Sequence, residues 1–240
     1  MTQDEAKRMA ARRALEFVED GMLLGLGSGT TSAIFIQELG ARVKQGLRVR
    51  GIATSDASAR LAESLSIPIT TFEETPELDL AIDGADEVGP GLALIKGGGG
   101  AMLREKIVAS AARKFIVIAD STKLVHQLGR FPLPVEVIQM ALPIVTRKLA
   151  AFGLNPTLRH HPDGSKYITD EGNYILDCAC GEIVNTAKTA ANIRGIPGVV
   201  EHGLFLKMAS LALIASDQGV IKVGRWQGDR YNKAISRLAS

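Results

Sequence analysis

Four strand-length runs, each ending in a polar or glycine-rich turn that leads towards a helical pattern, constrain this chain more than any other feature. They are Met22 to Leu26, Arg48 to Thr54, Leu78 to Ile82 and Phe115 to Ala119. Short runs of this kind bounded by turn residues read as buried strands. Strands that alternate with helices assemble into a mostly parallel, Rossmann-like sheet with helices on both faces. Open α/β sheets bind ligands outside the carboxyl ends of their strands. The turns after these runs are therefore where chemistry is to be sought.

Two of the turns stand out. After Leu26 the chain reads Gly27-Ser28-Gly29-Thr30-Thr31, followed by a helix expected to reach about Leu39. A strand, a glycine-rich turn and a helix start form an anion site, because the first helical N–H groups lack partners and the dipole is positive there. The spacing is neither a dinucleotide fingerprint nor a Walker loop. Hydroxyls at 28, 30 and 31 lean it towards a phosphate monoester. After Ile82 come three carboxylates, Asp83, Asp86 and Glu87, around Gly84 and Ala85. A second apolar run, Leu92 to Ile95, delivers Lys96 into Gly97, Gly98, Gly99 and Gly100. A helical pattern from Ala101 then carries Arg104, Glu105 and Lys106. Acids, bases and bare backbone gathered at strand ends favour a site for a small polar molecule.

The remaining elements follow local rules. Thr2 and Glu5 have the spacing of a capping box before a helix from Asp4 to Glu19, with Gly21 placed to end it. Asp56 is expected to cap a helix to about Leu65, and Ile67 to Thr70 to form a short strand. The pattern changes after Gly129. Two prolines in Phe131-Pro-Leu-Pro-Val-Glu-Val-Ile mark a crossover with a strand-like tail. Helices are expected at Leu142 to Phe152 and Thr186 to Arg194. Strands are expected at Thr157 to His160, Tyr167 to Thr169, Tyr174 to Ala179 and Gly198 to Phe205, with a hairpin turn at 170–173. This block reads as a smaller, ferredoxin-like α+β domain at 131–206, inserted in an α/β domain formed by 1–130 and 207–240. Met208 to Ala215 returns to the main sheet, Gln218-Gly219 turns the chain into Val220 to Val223, and Gly224 to Ser240 reads as an extension with a short helix.

Composition excludes several classes. A net charge of +2, with the basic residues unclustered, gives no footprint for nucleic acid. No apolar run approaches the about 18 residues of a membrane span, and the charged start MTQDEAKR lacks the apolar core of a signal peptide. A cytoplasmic protein is expected. Cys178 and Cys180 read as a reduced pair rather than a zinc site, since only His160, His161 and His202 lie near enough in sequence to complete one.

DGADE at 83–87 and KGGGGAMLREK at 96–106 resemble the signature segments of the type A ribose-5-phosphate isomerase family. GLGSGTT at 25–31, TSDAS at 54–58, FPLPVEVI at 131–138, ITDEGNYILD at 168–177 and IPGVVEHGLF at 196–205 extend the resemblance in the family's order. It implies a cofactor-free isomerase of the pentose phosphate pathway that interconverts D-ribose 5-phosphate and D-ribulose 5-phosphate. Its expected partners are the sugar phosphate and a second copy of the chain in a homodimer.

Moving a hydrogen between adjacent carbons proceeds by a metal-assisted hydride shift or by proton transfer through an ene-diolate. The carboxylates at 83, 86 and 87 could hold a hard cation. No histidine has ligand-like spacing to them, however, and Lys96 and Lys123 offer the positive charge instead. The metal-free route is expected. It needs a base, donors at the developing oxyanion and a grip on the phosphate. On spacing alone Glu105 reads as a solvated helix glutamate; by resemblance it is the catalytic base. The same resemblance has Lys96 and the N–H groups of Gly97 to Gly99 steady the oxyanion, while Asp83 and Asp86, with Gly84 and Ala85 beside them, hold sugar hydroxyls. Ser28, Gly29, Thr30, Thr31 and Lys123 would hold the phosphate; Lys7 is better read as a surface lysine. Two other readings remain at this stage: a non-catalytic sugar-phosphate sensor, and a coenzyme A transferase whose glutamate attacks a thioester.

Overall fold

The computed structural model describes residues 1–224, so most of the extension expected after Val223, including Trp226, lies outside the described residues. The chain begins with α1 (Gln3–Leu15), capped reciprocally by Thr2 and Glu5 as the spacing predicts. Alternation then follows through β1 (Leu23–Leu26), α2 (Gly29–Lys44), β2 (Arg50–Ala53), α3 (Asp56–Ser64) and β3 (Leu78–Asp83). A hairpin of β4 (Glu87–Val88) and β5 (Leu94–Ile95) precedes α4 (Met102–Ala111) and β6 (Ala112–Asp120). Next come β7 (Leu133–Val137), α5 (Leu142–Ala151), β8 (Pro156–Leu158), β9 (Tyr174–Cys178), α6 (Thr186–Arg194) and β10 (Val199–His202). The chain closes with β11 (Leu204–Phe205), β12 (Leu211–Ser216) and β13 (Gly219–Gly224).

The main sheet has the order β13-β12-β6-β3-β1-β2, parallel throughout except for the edge strand β13. Side-chain alternation divides its interior between two faces. Leu24, Leu26, Ile82, Ile116 and Ile118 pack beneath α1, α2 and α3, where the alanines at 6, 10, 11 and 14 let α1 approach closely. Phe115, Val117, Ala119 and Ile214 face the other way, against Val108 and Ala109 of α4 and Phe205. Burying one such side chain stabilises the fold by about 1.5–3 kcal/mol. The second sheet, β10-β7-β9-β8, is wholly antiparallel, and the sequence β7-α5-β8-β9-α6-β10 gives it the ferredoxin-like connectivity. A third, three-stranded ladder, β11-β5-β4, joins the two units.

Four expectations are corrected. Ser55 rather than Asp56 caps α3, its hydroxyl accepting from Ser58 N at 3.1 Å, which leaves the Asp56 carboxylate for Arg104. Ile67 to Thr70 makes only a single bridge, Gly51 to Ile69. Tyr167 to Thr169 is irregular, its backbone tied to Arg159 and Asn173 instead of a ladder. The run from Gly198 to Phe205 is split at Gly203, whose N–H donates to Pro134 O and whose carbonyl accepts from Lys96 N. A Cβ at Gly203 would lie 2.4 Å from the Lys96 carbonyl, so only glycine passes there.

Candidate active site

Strand order reverses at β1: β2 lies on one side and β3 on the other. A crevice opens at such a switch point, outside the carboxyl ends of the two strands. Here those ends are Gly27-Ser28 and Asp83-Gly84. They border a cleft of about 550 Å³, open solvent at its mouth included. Ser28, Gly29, Thr30, Thr31, Gly84, Ala85, Asp86, Lys96, Gly97, Gly98, Gly99, Glu105 and Lys123 all line it, so the turns singled out in the sequence converge on one place. Asp83 lies directly beneath, 3% exposed.

The floor is built from three buried charges. Lys96 Nζ stands 2.9 Å from Asp83 Oδ2 and 3.3 Å from Glu105 Oε2, and donates to Gly84 O at 2.6 Å. The other oxygen of Asp83 accepts from Ser28 N, Ser32 Oγ and Gly84 N, at 3.1, 2.9 and 2.7 Å. Asp83 is reached so closely because Gly27 has no side chain: a Cβ there would fall 2.1 Å from Oδ1. Ser28 Oγ donates to Glu105 Oε1 at 2.5 Å, which takes it away from capping α2. The first N–H groups of α2 consequently face the cleft without a side-chain cap, an arrangement suited to an anion. Asp83 Oδ2 and Glu105 Oε2 are fully buried and take no aligned hydrogen bond, although Lys96 sits at ion-pair distance from both.

Electrostatics set the protonation states. Burial pushes the Glu105 carboxyl up to about 7, against the pull of Lys96 and with the help of the Asp83 anion. For Lys96 burial works towards the free amine, but Asp83 and Glu105 outweigh it and hold the ammonium above its ordinary range. A carboxylate poised near neutrality beside a permanent cation is able to exchange a proton and to stabilise the charge that results.

Other residues fall differently from their sequence readings. Lys7 lines the cleft with its side chain only 11% exposed, and is not a surface lysine. The three carboxylates at 83, 86 and 87 do not converge on one point. Glu87 is spent on Gly129 N and Phe131 N, each at 2.7 Å, at the junction of the two units. Asp86 accepts from Gly98 N at 2.7 Å, so one of the three glycine N–H groups expected at the oxyanion is already engaged. Gln3 also lines the cleft, its amide donating to Asp120 at 3.2 Å. Nothing in the local sequence marks Gln3 or Ser32; they reach the site through the packing of α1 and α2 over the sheet. No group of three or more His, Cys, Asp or Glu among the described residues is arranged to hold a metal ion.

Fold and cleft together define an α/β protein with a buried carboxyl–lysine cluster at a cleft whose helix start suits a small anion. The comparisons make the class specific. The family model for ribose 5-phosphate isomerase A (phosphoriboisomerase A) matches residues 50–219. The chain is 53% identical to ribose-5-phosphate isomerase A of Roseiflexus castenholzii over 90% of its own length and 94% of the relative's. It is 51% identical to that of Nitrobacter hamburgensis, over 94% of this chain and all of the relative. Among solved structures, a D-ribose-5-phosphate isomerase in complex with phospho-erythronic acid superposes with a TM-score of 0.91 at 38% identity, over 93% of this chain and 100% of that one. Ribose 5-phosphate isomerase A of Methanocaldococcus jannaschii gives 0.89 at 41% identity over the same shares. This chain belongs to the ribose 5-phosphate isomerase A family.

Proposed function

We propose that the chain interconverts D-ribose 5-phosphate and D-ribulose 5-phosphate, the aldose–ketose step of the pentose phosphate pathway, by proton transfer through an ene-diolate. The observation that carries the mechanism is Glu105, a buried carboxyl brought to about 7 beside Lys96. Glu105 takes the proton from C2 of the open-chain aldose and returns it to C1. Lys96, with the glycine loop, stabilises the negative charge on the intervening oxygen, because preorganised donors in a water-poor site cost no rearrangement when the charge appears. Asp83, whose buried Oδ2 pairs with Lys96 and takes no aligned hydrogen bond, is assigned to a sugar hydroxyl and to ring opening, and Asp86 orients the adjoining hydroxyls. Ser28, Gly29, Thr30 and Thr31 take the phosphate at the start of α2, with Lys7 and Lys123 supplying charge from the walls. The Lys96 ammonium lies between Asp83 and Glu105, where it does the work a metal cation would do, which favours the metal-free route.

The catalytic unit in this reading spans 1–130 and 207–240, of which 225–240 lie outside the described residues, with 131–206 as the smaller domain. The enzyme works as a homodimer in the cytoplasm; no helix among the described residues is long and apolar enough to cross a membrane. The direct test is to assay the purified chain with ribose 5-phosphate, with and without a chelator, beside Glu105→Gln. Activity that survives chelation and falls about 10²–10⁴-fold in the variant is expected for a positioned base. Near-normal turnover in Glu105→Gln sinks the base assignment, and chelator-sensitive activity restored by a divalent ion sinks the metal-free route.

A further inference from the structure

The carbonyl oxygens of Gly97, Gly98 and Gly99 are all held by side chains of the antiparallel unit. Arg159 Nη1 donates to Gly97 O at 3.0 Å and to Gly98 O at 3.1 Å. The rest of its guanidinium grips both oxygens of Asp177 on β9, Nε at 2.8 Å. Tyr167 OH donates to Gly99 O at 3.2 Å, and its ring lies 5.6 Å from the Arg159 guanidinium. The Arg159 side chain is 13% exposed, so it serves as an internal strut rather than a solvated surface charge. Four consecutive glycines would otherwise sample a wide range of conformations; here the order is imposed from outside the loop.

Peptide geometry carries this grip to the opposite side of the loop. Across a trans peptide the carbonyl and the following N–H point in opposite directions, and the described residues contain no cis bond. With Gly97 O and Gly98 O drawn to Arg159, the N–H groups of Gly98 and Gly99 turn away from it. Gly98 N–H meets Asp86 at 2.7 Å, and Gly100 N–H folds back onto Gly97 O at 3.0 Å. Gly99 N–H has no acceptor among the described residues, and a Cβ at Gly99 would meet nothing within 4 Å, so its surroundings are open. Gly99 lines the cleft together with Lys96 and Glu105. The guanidinium charge on Gly98 O also polarises the peptide and makes Gly99 N–H a stronger donor.

We infer that Arg159, braced by Asp177 and Tyr167, is a positioning residue that aims Gly99 N–H at the oxygen on which negative charge develops; the inference rests on the isomerase reading above. Arg159→Met keeps the length of the stem and removes the donors. It should lower kcat about 10²-fold, the scale of a misplaced reacting group, with KM within about threefold of the parent. Binding of phospho-erythronic acid, whose carboxylate resembles the charge of an ene-diolate, should weaken in step with kcat. Tyr167→Phe, which loses one hydrogen bond, should lower kcat up to about tenfold. In spectra of the chain labelled with 15N-glycine, the Gly99 amide should move or broaden in Arg159→Met. A folded Arg159→Met with normal kcat, or with a loss confined to KM, overturns the inference. Should that variant fail to fold, unchanged kcat in both Tyr167→Phe and Asp177→Asn overturns it. A parent chain without isomerase activity overturns the functional reading instead, and an unmoved Gly99 amide in Arg159→Met then overturns the positioning as well.

Discussion

Glu105 lies in the first turn of α4, where the helix dipole favours its anion, and is 6% exposed, where lack of water disfavours it. Sequence leaves that contest open; in the folded chain burial wins and the carboxyl titrates near 7. The sign of the consequence follows from proton counting. Between about pH 4.5 and 7 the folded chain keeps a proton on Glu105 that the unfolded chain has released, so this group's contribution to stability falls as pH rises through that window. Glu105→Gln, a mimic of the protonated form, should therefore melt higher than the parent at pH 8 and nearly with it at pH 5, by calorimetry. A lower melting temperature at pH 8 would contradict the assignment. The parent's kcat/KM should rise over the same interval, with an apparent pKa near 7. Stability and activity are thus opposed at a single carboxyl, as is common where a site holds a charge it would rather not bury.

Helix α4 is fastened on both sides of its glutamate. Arg104 reaches Asp56 at the start of α3 and Asp170 and Glu171 of the antiparallel unit. Lys106 donates to Glu201 at 2.9 Å, His202 O at 2.6 Å and Leu204 O at 2.9 Å, and its burial brings it down to about 8. Removing Lys106 leaves the Glu201 carboxylate paired with Arg194 at 2.8 Å, with the His202 ring 3.8 Å away. Lys106→Met should cost about 2–4 kcal/mol in urea unfolding, the order expected when a largely buried pair loses one member; a change within 0.5 kcal/mol, about that of an ordinary surface substitution, would show the clamp to be dispensable. At this scale the sequence is legible wherever a rule is local. The capping box at Thr2, the βα alternation and the turns at Gly27 and Gly97 need only neighbouring residues. Ser55 caps α3 in place of Asp56, whose carboxylate meets Arg104, 48 residues away. Arg159 meets Gly97 across 62 residues, and no periodicity in either segment records that meeting.

Over the whole molecule, the chain leaves the main sheet after β6, builds the antiparallel unit and returns as β12 beside β6. The cleft takes its charges from the first unit and the order of its glycine loop from the second, while α1 closes the wall with Gln3 and Lys7. Lys7 and Lys123, the two lysines proposed to hold the phosphate, come from opposite ends of the main unit's first half, so their convergence on the cleft is a property of the tertiary fold. Their alanine variants should each raise KM for ribose 5-phosphate about tenfold or more and lower kcat as well, since binding energy at the phosphate also positions the reacting carbons. Unphosphorylated ribose should be a very poor substrate in the same assay, and equal efficiency on the two sugars would remove the phosphate assignment.

An open-chain aldose ends in an aldehyde, and aldehydes condense with unprotonated amines to give imines. Lys96 borders the cleft at 2% exposure, yet Asp83 and Glu105 keep it an ammonium, with no lone pair to offer. Lys106, the lysine nearest to the free amine, is not part of the cleft wall and packs against the Phe205 ring, 4.7 Å from its centroid. In the isomerase reading Lys96 is then a cation at the reacting end of the sugar that cannot condense with it, and borohydride added during turnover should leave Lys96 and Lys106 unmodified.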